Sequence, residues 1–188
     1  RSLPSYSLVM EMDDLFDEGF GIFANAKNDG REWERSCSLE MISPDGKSGF
    51  QENCGVRIRG GFSRMSPNAK HAFRFFFRSE YGPAQPQYPV FGQDAAQEFD
   101  NIDLRTFSNY SWSLSDDPRC TFMRDQFNRD MQFSLGQSTA RGHYCHLYIN
   151  GHYWGLFNVV ERPEASFGAT YFKGKQDDFD VIKIGRGK

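Results

Sequence analysis

A chain of 188 residues, 38% hydrophobic and 25% charged, can bury a sizeable core and is neither disordered nor collagen-like. Its formal net charge of −3 disfavours a general binder of nucleic acid or anionic membrane. No apolar run reaches the roughly 18 residues that a membrane-spanning helix needs.

Ser5 to Met12 alternates and reads as a strand, and the acidic stretch from Asp13 to Glu18 suits a short helical turn. Trp33 to Ile42 and Gly49 to Arg59 read as strands joined at Ser43-Pro-Asp-Gly46. A turn centred there sets Cys37 opposite Cys54, where the two can cross-link or merely pack. The four cysteines contain no C-x-x-C, so a structural zinc site is not expected. Gly60-Gly61 breaks the strand, and Ala69 to Arg78 reads as the next one. Period two puts Lys70, Ala72, Arg74, Phe76 and Arg78 on one face, with His71, Phe73, Phe75 and Phe77 on the other. Glu80 to Gln93 is a loop. Phe99 to Thr106 is a strand with Ile102 and Leu104 on one face, Asp103 and Arg105 on the other. A long helix follows, capped by Asp116 or Asp117 and ended by Gly136, with Met123, Phe127, Met131 and Leu135 as its buried stripe. Asp125 and Arg129 are spaced to pair on it. His143 to Asn150 and His152 to Val160 form a hairpin about Asn150-Gly151. Pro163 to Phe172 reads as a second helix and Phe179 to Ile184 as a last strand. The class is α+β.

Aromatic residues make up 16% of the chain, with 19 Phe, which favours a ring-rich sheet core over a Leu-based bundle. The 15 Arg outnumber the 7 Lys, and arginine suits forked contacts to carboxylate and phosphate. Arg57, Arg59, Gly60, Gly61, Ser63, Arg64, Lys70 and Arg74 crowd one strand–turn–strand segment. A glycine turn among cations can form an anion nest, although G-x-x-x-x-G-K-[ST] is absent. The bland alternative is a glycine-bulged hairpin with solvated arginines. No G-x-S-x-G occurs. His146 and His152 flank the hairpin turn and read as packing. The acidic run at Asp177, Asp178 and Asp180 reads as a solvated turn. Tyr110, Trp112, Tyr153 and Trp154 can stack on a sugar or base, or simply pack.

Gly60-Gly61-Phe-Ser63-Arg64, then Pro67-x-x-Lys70 and Phe73-Arg74, resembles the GxSSR…PKKSFRLKF signature of the spore-coat CotH kinase family. His146-Leu-Tyr-Ile-Asn-Gly-His-Tyr-Trp-Gly-Leu-Phe157, ending in Glu161-Arg-Pro-Glu164, is similar to its HLYINGxYxGLYxLxExxD signature. Arg124-Asp125 and the stretch from Asp177 to Lys183 resemble further family segments. The resemblance implies a kinase-like fold with a mostly antiparallel N-lobe sheet and one long helix. It implies transfer of phosphate from ATP, with Mg²⁺, to Ser or Thr of a protein. Arg59, Gly60, Gly61, Ser63 and Arg64 would then sit at the nucleotide phosphates. Lys70 or Arg74 would be the phosphate-pairing cation, with Asp125 or Asp130 of the long helix as its partner. Glu161 would line the adenine. His71 and Phe76 replace two lysines of the signature. No HRD-like or DFG-like run follows Glu161, so the catalytic and metal-binding carboxylates are expected beyond Lys188, in a truncated C-lobe.

The expected division is an N-terminal strand and hairpin extension over residues 1–48 and an incomplete CotH kinase-like domain over 49–188. The chain starts at Arg1 without Met and stops soon after an apolar run, which reads as a piece of something longer. The resemblance implies a Ser/Thr-rich protein substrate and an extracytoplasmic, spore-coat or secreted setting, with no nucleic acid and no membrane span. Two alternatives remain: a secreted aromatic-rich module binding carbohydrate or a protein surface, and a pseudokinase.

Overall fold

A computed structural model of the chain describes residues 2–65, 68–108, 111 and 118–182. Seven strands close into one barrel: β1 (Ser5–Val9), β2 (Arg35–Ile42), β3 (Gly49–Arg59), β4 (Ala72–Phe76), β5 (Asn101–Arg105), β6 (Gly142–Ile149) and β7 (His152–Val160). The order around the barrel is β1-β2-β3-β4-β5-β7-β6. Every pairing is antiparallel except β1 on β6, which is parallel and closes the ring. Helices α1 (Met12–Phe16) and α2 (Arg124–Ser134) lie in the β1–β2 and β5–β6 connections, and α3 (Ala165–Phe172) follows β7. None of the described helices is long and apolar enough to cross a membrane.

Alternation along the strands fills the barrel. Tyr6, Leu8, Leu39, Val56, Phe73, Phe75, Ile102, Leu104, Leu147 and Phe157 are fully buried, and Phe77 nearly so. The alternate faces read from β4 and β5 therefore hold, with Phe73 and Phe75 inward and Arg74 outward. The aromatic excess has a second destination. Phe16, Phe20, Phe62, Phe127, Phe133 and Phe172 are all more than a third exposed, so the rings are not all core.

Local chemistry explains the hairpins. The β2–β3 turn is closed by Ser43 N–H to Ser48 O at 2.9 Å, and it sets Cys37 opposite Cys54. Both thiols are buried and free, with 3.5 Å between sulfurs. Asn150 and Gly151 take φ of 48° and 82°, the left-handed pair that a two-residue hairpin turn requires. The Asn150 side chain then bonds both Met10 N–H (3.0 Å) and Met10 O (2.8 Å), tying this turn to the end of β1.

The boundary expected at 48/49 falls in the turn between β2 and β3, two fully paired strands of the same barrel. Residues 1–48 supply β1 and β2, without which the barrel is open. The strand expected over Phe179 to Ile184 is absent from residues 179–182. Phe179 instead packs near Phe172 and Gly168, after a 3-10 turn at Gln176–Asp178. Barrel closure gives a physical reason: each strand already has two partners, so no edge is free to accept another. Lys183 and Ile184, like Tyr110, Trp112 and the expected caps Asp116 and Asp117, lie outside the described residues.

The long helix is docked the other way round from its expected orientation. Met123, Phe127, Met131 and Leu135 are exposed by 45–71%, while Gln126 and Arg129 are buried. Gln126 Nε2 donates to Gly142 O (3.0 Å), Arg129 Nη2 donates to Asn158 Oδ1 (2.6 Å), and Asn158 Nδ2 donates to Gln126 Oε1 (2.9 Å). These bonds fix α2 against β6 and β7 through its polar face.

Candidate functional site

The outer faces of β3, β4 and β5 carry side chains that meet at a cleft of about 730 Å³. Arg59 ends β3, and Arg74 and Asp103 face each other across the β4–β5 register. Asp103 is 3% exposed and receives both arginines. Arg74 donates through Nε to Oδ1 (2.5 Å) and Nη2 to Oδ2 (2.9 Å), a forked pair. Arg59 Nε adds a third bond to Oδ2 at 2.9 Å. Burial alone would raise the Asp103 carboxyl, but the Arg74 hydrogen bonds and the two positive charges outweigh it and hold the group below its ordinary value.

Gly60 and Gly61 form the turn after Arg59 and line the same cleft. Gly60 has φ of 120°, and a Cβ there would meet Ser63 Oγ at 1.9 Å, so only glycine fits. Ser63 Oγ lies 3.4 Å from Arg59 O and faces the adjoining pocket over the turn. Arg64 reaches the cleft rim, yet its two terminal nitrogens donate to Ile58 O (2.6 Å) and Asn28 O (3.0 Å). It staples the turn to the N-terminal segment.

From the far wall come α2 and the end of β7. Asp125 Oδ2 accepts from Arg105 Nη1 and Arg129 Nη1, each at 2.5 Å, which includes the expected i,i+4 pair. Asp130 accepts from Gln126 (2.7 Å). Neither carboxylate meets Lys70 or Arg74, so the helix does not supply the partner expected for that cation. Asp103 on β5 does. Its pairing with Arg74 is non-local, 29 residues apart, and follows from strand register. Glu161 is buried in the wall, accepting from Arg141 N–H (2.7 Å) and Tyr171 O–H (2.5 Å). Burial pushes its carboxyl up despite these bonds.

Lys70 stands apart. Strand β4 begins at Ala72, so the period-two face does not extend back to it. Its Nζ donates to Leu156 O at 2.8 Å and sits 4.3 Å from the Phe157 ring centroid, in a different cavity from Arg74. Trp154 packs against Phe16 and Phe23 and is not an open stacking platform. The carboxylates of Asp177, Asp178 and Asp180 are exposed, and Asp178 caps Lys175 N–H at 2.7 Å.

Charge in the cleft does not balance. Six arginines (Arg59, Arg64, Arg74, Arg105, Arg129, Arg162) and three carboxylates (Asp103, Asp125, Glu161) line it, and at the rim Arg162 also pairs with Glu164 and Arg64 with the exposed Asp29, which still leaves positive charge in excess. Burial lowers the pKa of Arg59, Arg64 and Arg162, and crowding by neighbouring arginines pushes the same way. An anion entering this cleft relieves that repulsion. Val160, Pro163 and Phe167 add an apolar wall beside the arginines.

A family model described as CotH kinase protein matches residues 56–187, more than two thirds of the chain. The chain belongs to the CotH kinase family. Among curated proteins none matches it. The CotH match begins at Val56, one residue before Arg57, and takes in the glycine turn, the Arg74–Asp103 pair, α2 and the β6–β7 hairpin. Strands β1 and β2 precede it, although both are needed to close the barrel.

Proposed function

We propose that the arginine cleft binds the triphosphate of ATP and that the protein acts as a CotH-type kinase, moving phosphate to Ser or Thr of a protein. The observation that carries this reading is the excess of partly buried arginine charge at a glycine turn in a member of this family. The residues fit the group: guanidiniums for phosphate oxygens, open backbone at Gly60-Gly61, and an apolar wall for a base.

Arg59 and Arg74 are the phosphate-facing cations in this account, and Asp103 is their positioning residue. Bound by three hydrogen bonds, it fixes both guanidiniums before the anion arrives, so little ordering cost is left for binding. Asp125 does the same for Arg105 and Arg129 on the opposite wall. The Gly60-Gly61 turn covers the phosphates, α2 corresponds to the regulatory helix of a kinase, and Glu161 to Glu164 corresponds to its hinge. Glu161 braces the wall, since both its oxygens are engaged. ATP supplies the transferable phosphoryl group when bound. The arginines neutralise charge on it, which is where catalysis of phosphoryl transfer mainly lies. Among the described residues no three His, Cys, Asp or Glu side chains converge into an all-protein metal cage, and no step is assigned to Mg²⁺.

The test is calorimetric titration of the chain with ATP and with adenosine, followed by phosphate transfer from ATP to a Ser-rich protein. ATP should bind at least about tenfold more tightly than adenosine, a difference of about 1.4 kcal/mol. Equal affinities would remove the triphosphate assignment.

A further inference from the structure

A second cavity, of about 610 Å³, opens beside the start of α2 and shares no lining residue with the arginine cleft. Its volume falls in the range of small-molecule sites. Leu3, Phe107, Phe122, Met123 and Leu156 make most of its wall apolar. Seven polar residues interrupt that wall, and two of them, Lys70 and Thr106, lack the partner their chemistry calls for. Lys70 is half-buried with its ammonium held by a neutral carbonyl and an aromatic face, and among the described residues no carboxylate pairs with it. Thr106 is 8% exposed, and its hydroxyl has no hydrogen-bond partner.

The backbone holds Lys70 in this position. A register shift between Leu147 and Tyr148 leaves Gly155 opposite Leu147 with φ of 111°. A Cβ on Gly155 would stand 2.8 Å from Lys70 Nζ, so the bulge and its glycine make room for the ammonium. A half-buried cation without a counter-ion costs free energy, and an anion delivered on an apolar body offsets it. Phosphate-rich ligands do not match, because the walls here are apolar and the arginines lie elsewhere.

We propose that this cavity binds a monoanionic amphiphile: a carboxylate or sulfonate on a short aliphatic or aromatic body. The acid group bonds Lys70 Nζ and the Thr106 hydroxyl, and the body lies on Phe107, Phe122 and Leu156.

Titration calorimetry of the 188-residue chain with octanoate and with octylammonium separates charge from greasiness, because the two have head groups of opposite charge on chains of the same eight carbons. Octanoate should bind at least about tenfold more tightly than octylammonium. Lys70→Met should abolish that preference, and Thr106→Val should weaken octanoate a few-fold while keeping it. Lys47→Met, in the exposed β2–β3 turn, should change neither. Equal affinity for the two amphiphiles, no binding of octanoate, or a preference that survives Lys70→Met would overturn the proposal. The pair of amphiphiles tests it on the unmodified chain even if a variant fails to fold.

Discussion

Strand β3 sends two arginines to two clusters with different fates. Arg57 turns to Glu34, which lies just before β2. There Glu34, with 1% of its side chain exposed, also holds Arg31 and Arg78. Arg57 and Arg78 flank the Phe76 ring at 4.2 and 4.8 Å, and Arg31 has Glu80 as a further partner. Two residues on, Arg59 turns to Asp103 and shares it with Arg74. The ingredients match: a buried carboxylate, forked arginines, neighbouring strands. The surroundings do not. The Glu34 cluster is stacked on rings and adjoins a pocket of about 350 Å³, whereas the Asp103 cluster opens into about 730 Å³ beside a glycine turn, α2 and Arg162. A carboxylate–arginine cluster is thus a fold staple in one place and, in the function proposed above, an anion site in the other. The difference lies in the open space and the glycine turn beside the pair, not in the pair itself.

The largest effect expected is on the staple. Glu34→Ala empties a buried carboxylate site and leaves three partly exposed arginines around it without their shared partner, and should cost about 3 kcal/mol of stability, read from urea unfolding. A loss below about 0.5 kcal/mol would mean that the cluster is only a set of surface pairs. Asp103→Asn should cost somewhat less, about 2 kcal/mol at neutral pH, since two arginines rather than three lose their carboxylate and the amide oxygen still accepts a hydrogen bond. That cost depends on pH with a definite sign. The Asp103 carboxyl is held down in the folded state, so its stabilisation is present above its unfolded pKa and is lost as pH falls through the folded value. The gap between the unmodified chain and Asp103→Asn should therefore close in acid below the ordinary carboxylate range. Glu161 has the opposite sign. Its folded pKa is raised, so its contribution falls as pH rises from the unfolded value through the folded one. Glu161→Gln should gain relative stability as pH rises through that window, by less than the Asp103 effect. Parallel pH profiles for the two variants would contradict the assigned charge states.

Much of the barrel was legible because strand signals are local. The Phe73/Phe75/Phe77 alternation, Asn150-Gly151 and the break at Gly60-Gly61 each determine a feature within a few residues. The site was legible in part. The motif placed Arg59, Gly60, Gly61 and Arg74 together, but Asp103 becomes their partner through β4–β5 register, which no local spacing encodes. Lys70 was misplaced because period two was carried past the true start of β4. The helix shows a further limit. Spacing of four identifies an amphipathic α2, but which face docks depends on what the barrel offers, and here Asn158 and Gly142 O offer hydrogen bonds. A similar blindness hid the closure of the barrel. Composition gives no sign that β1 must pair in parallel with β6, 141 residues away by the Ser5–His146 register.

The most direct test of the central claim sets the two clusters against each other. ATP affinity is measured by titration calorimetry on the unmodified chain, Arg74→Ala and Arg57→Ala, with thermal melts confirming that each is folded. The account predicts that Arg74→Ala weakens ATP at least about tenfold while Arg57→Ala stays within about twofold. Equal losses in both variants, or none in Arg74→Ala, would contradict it.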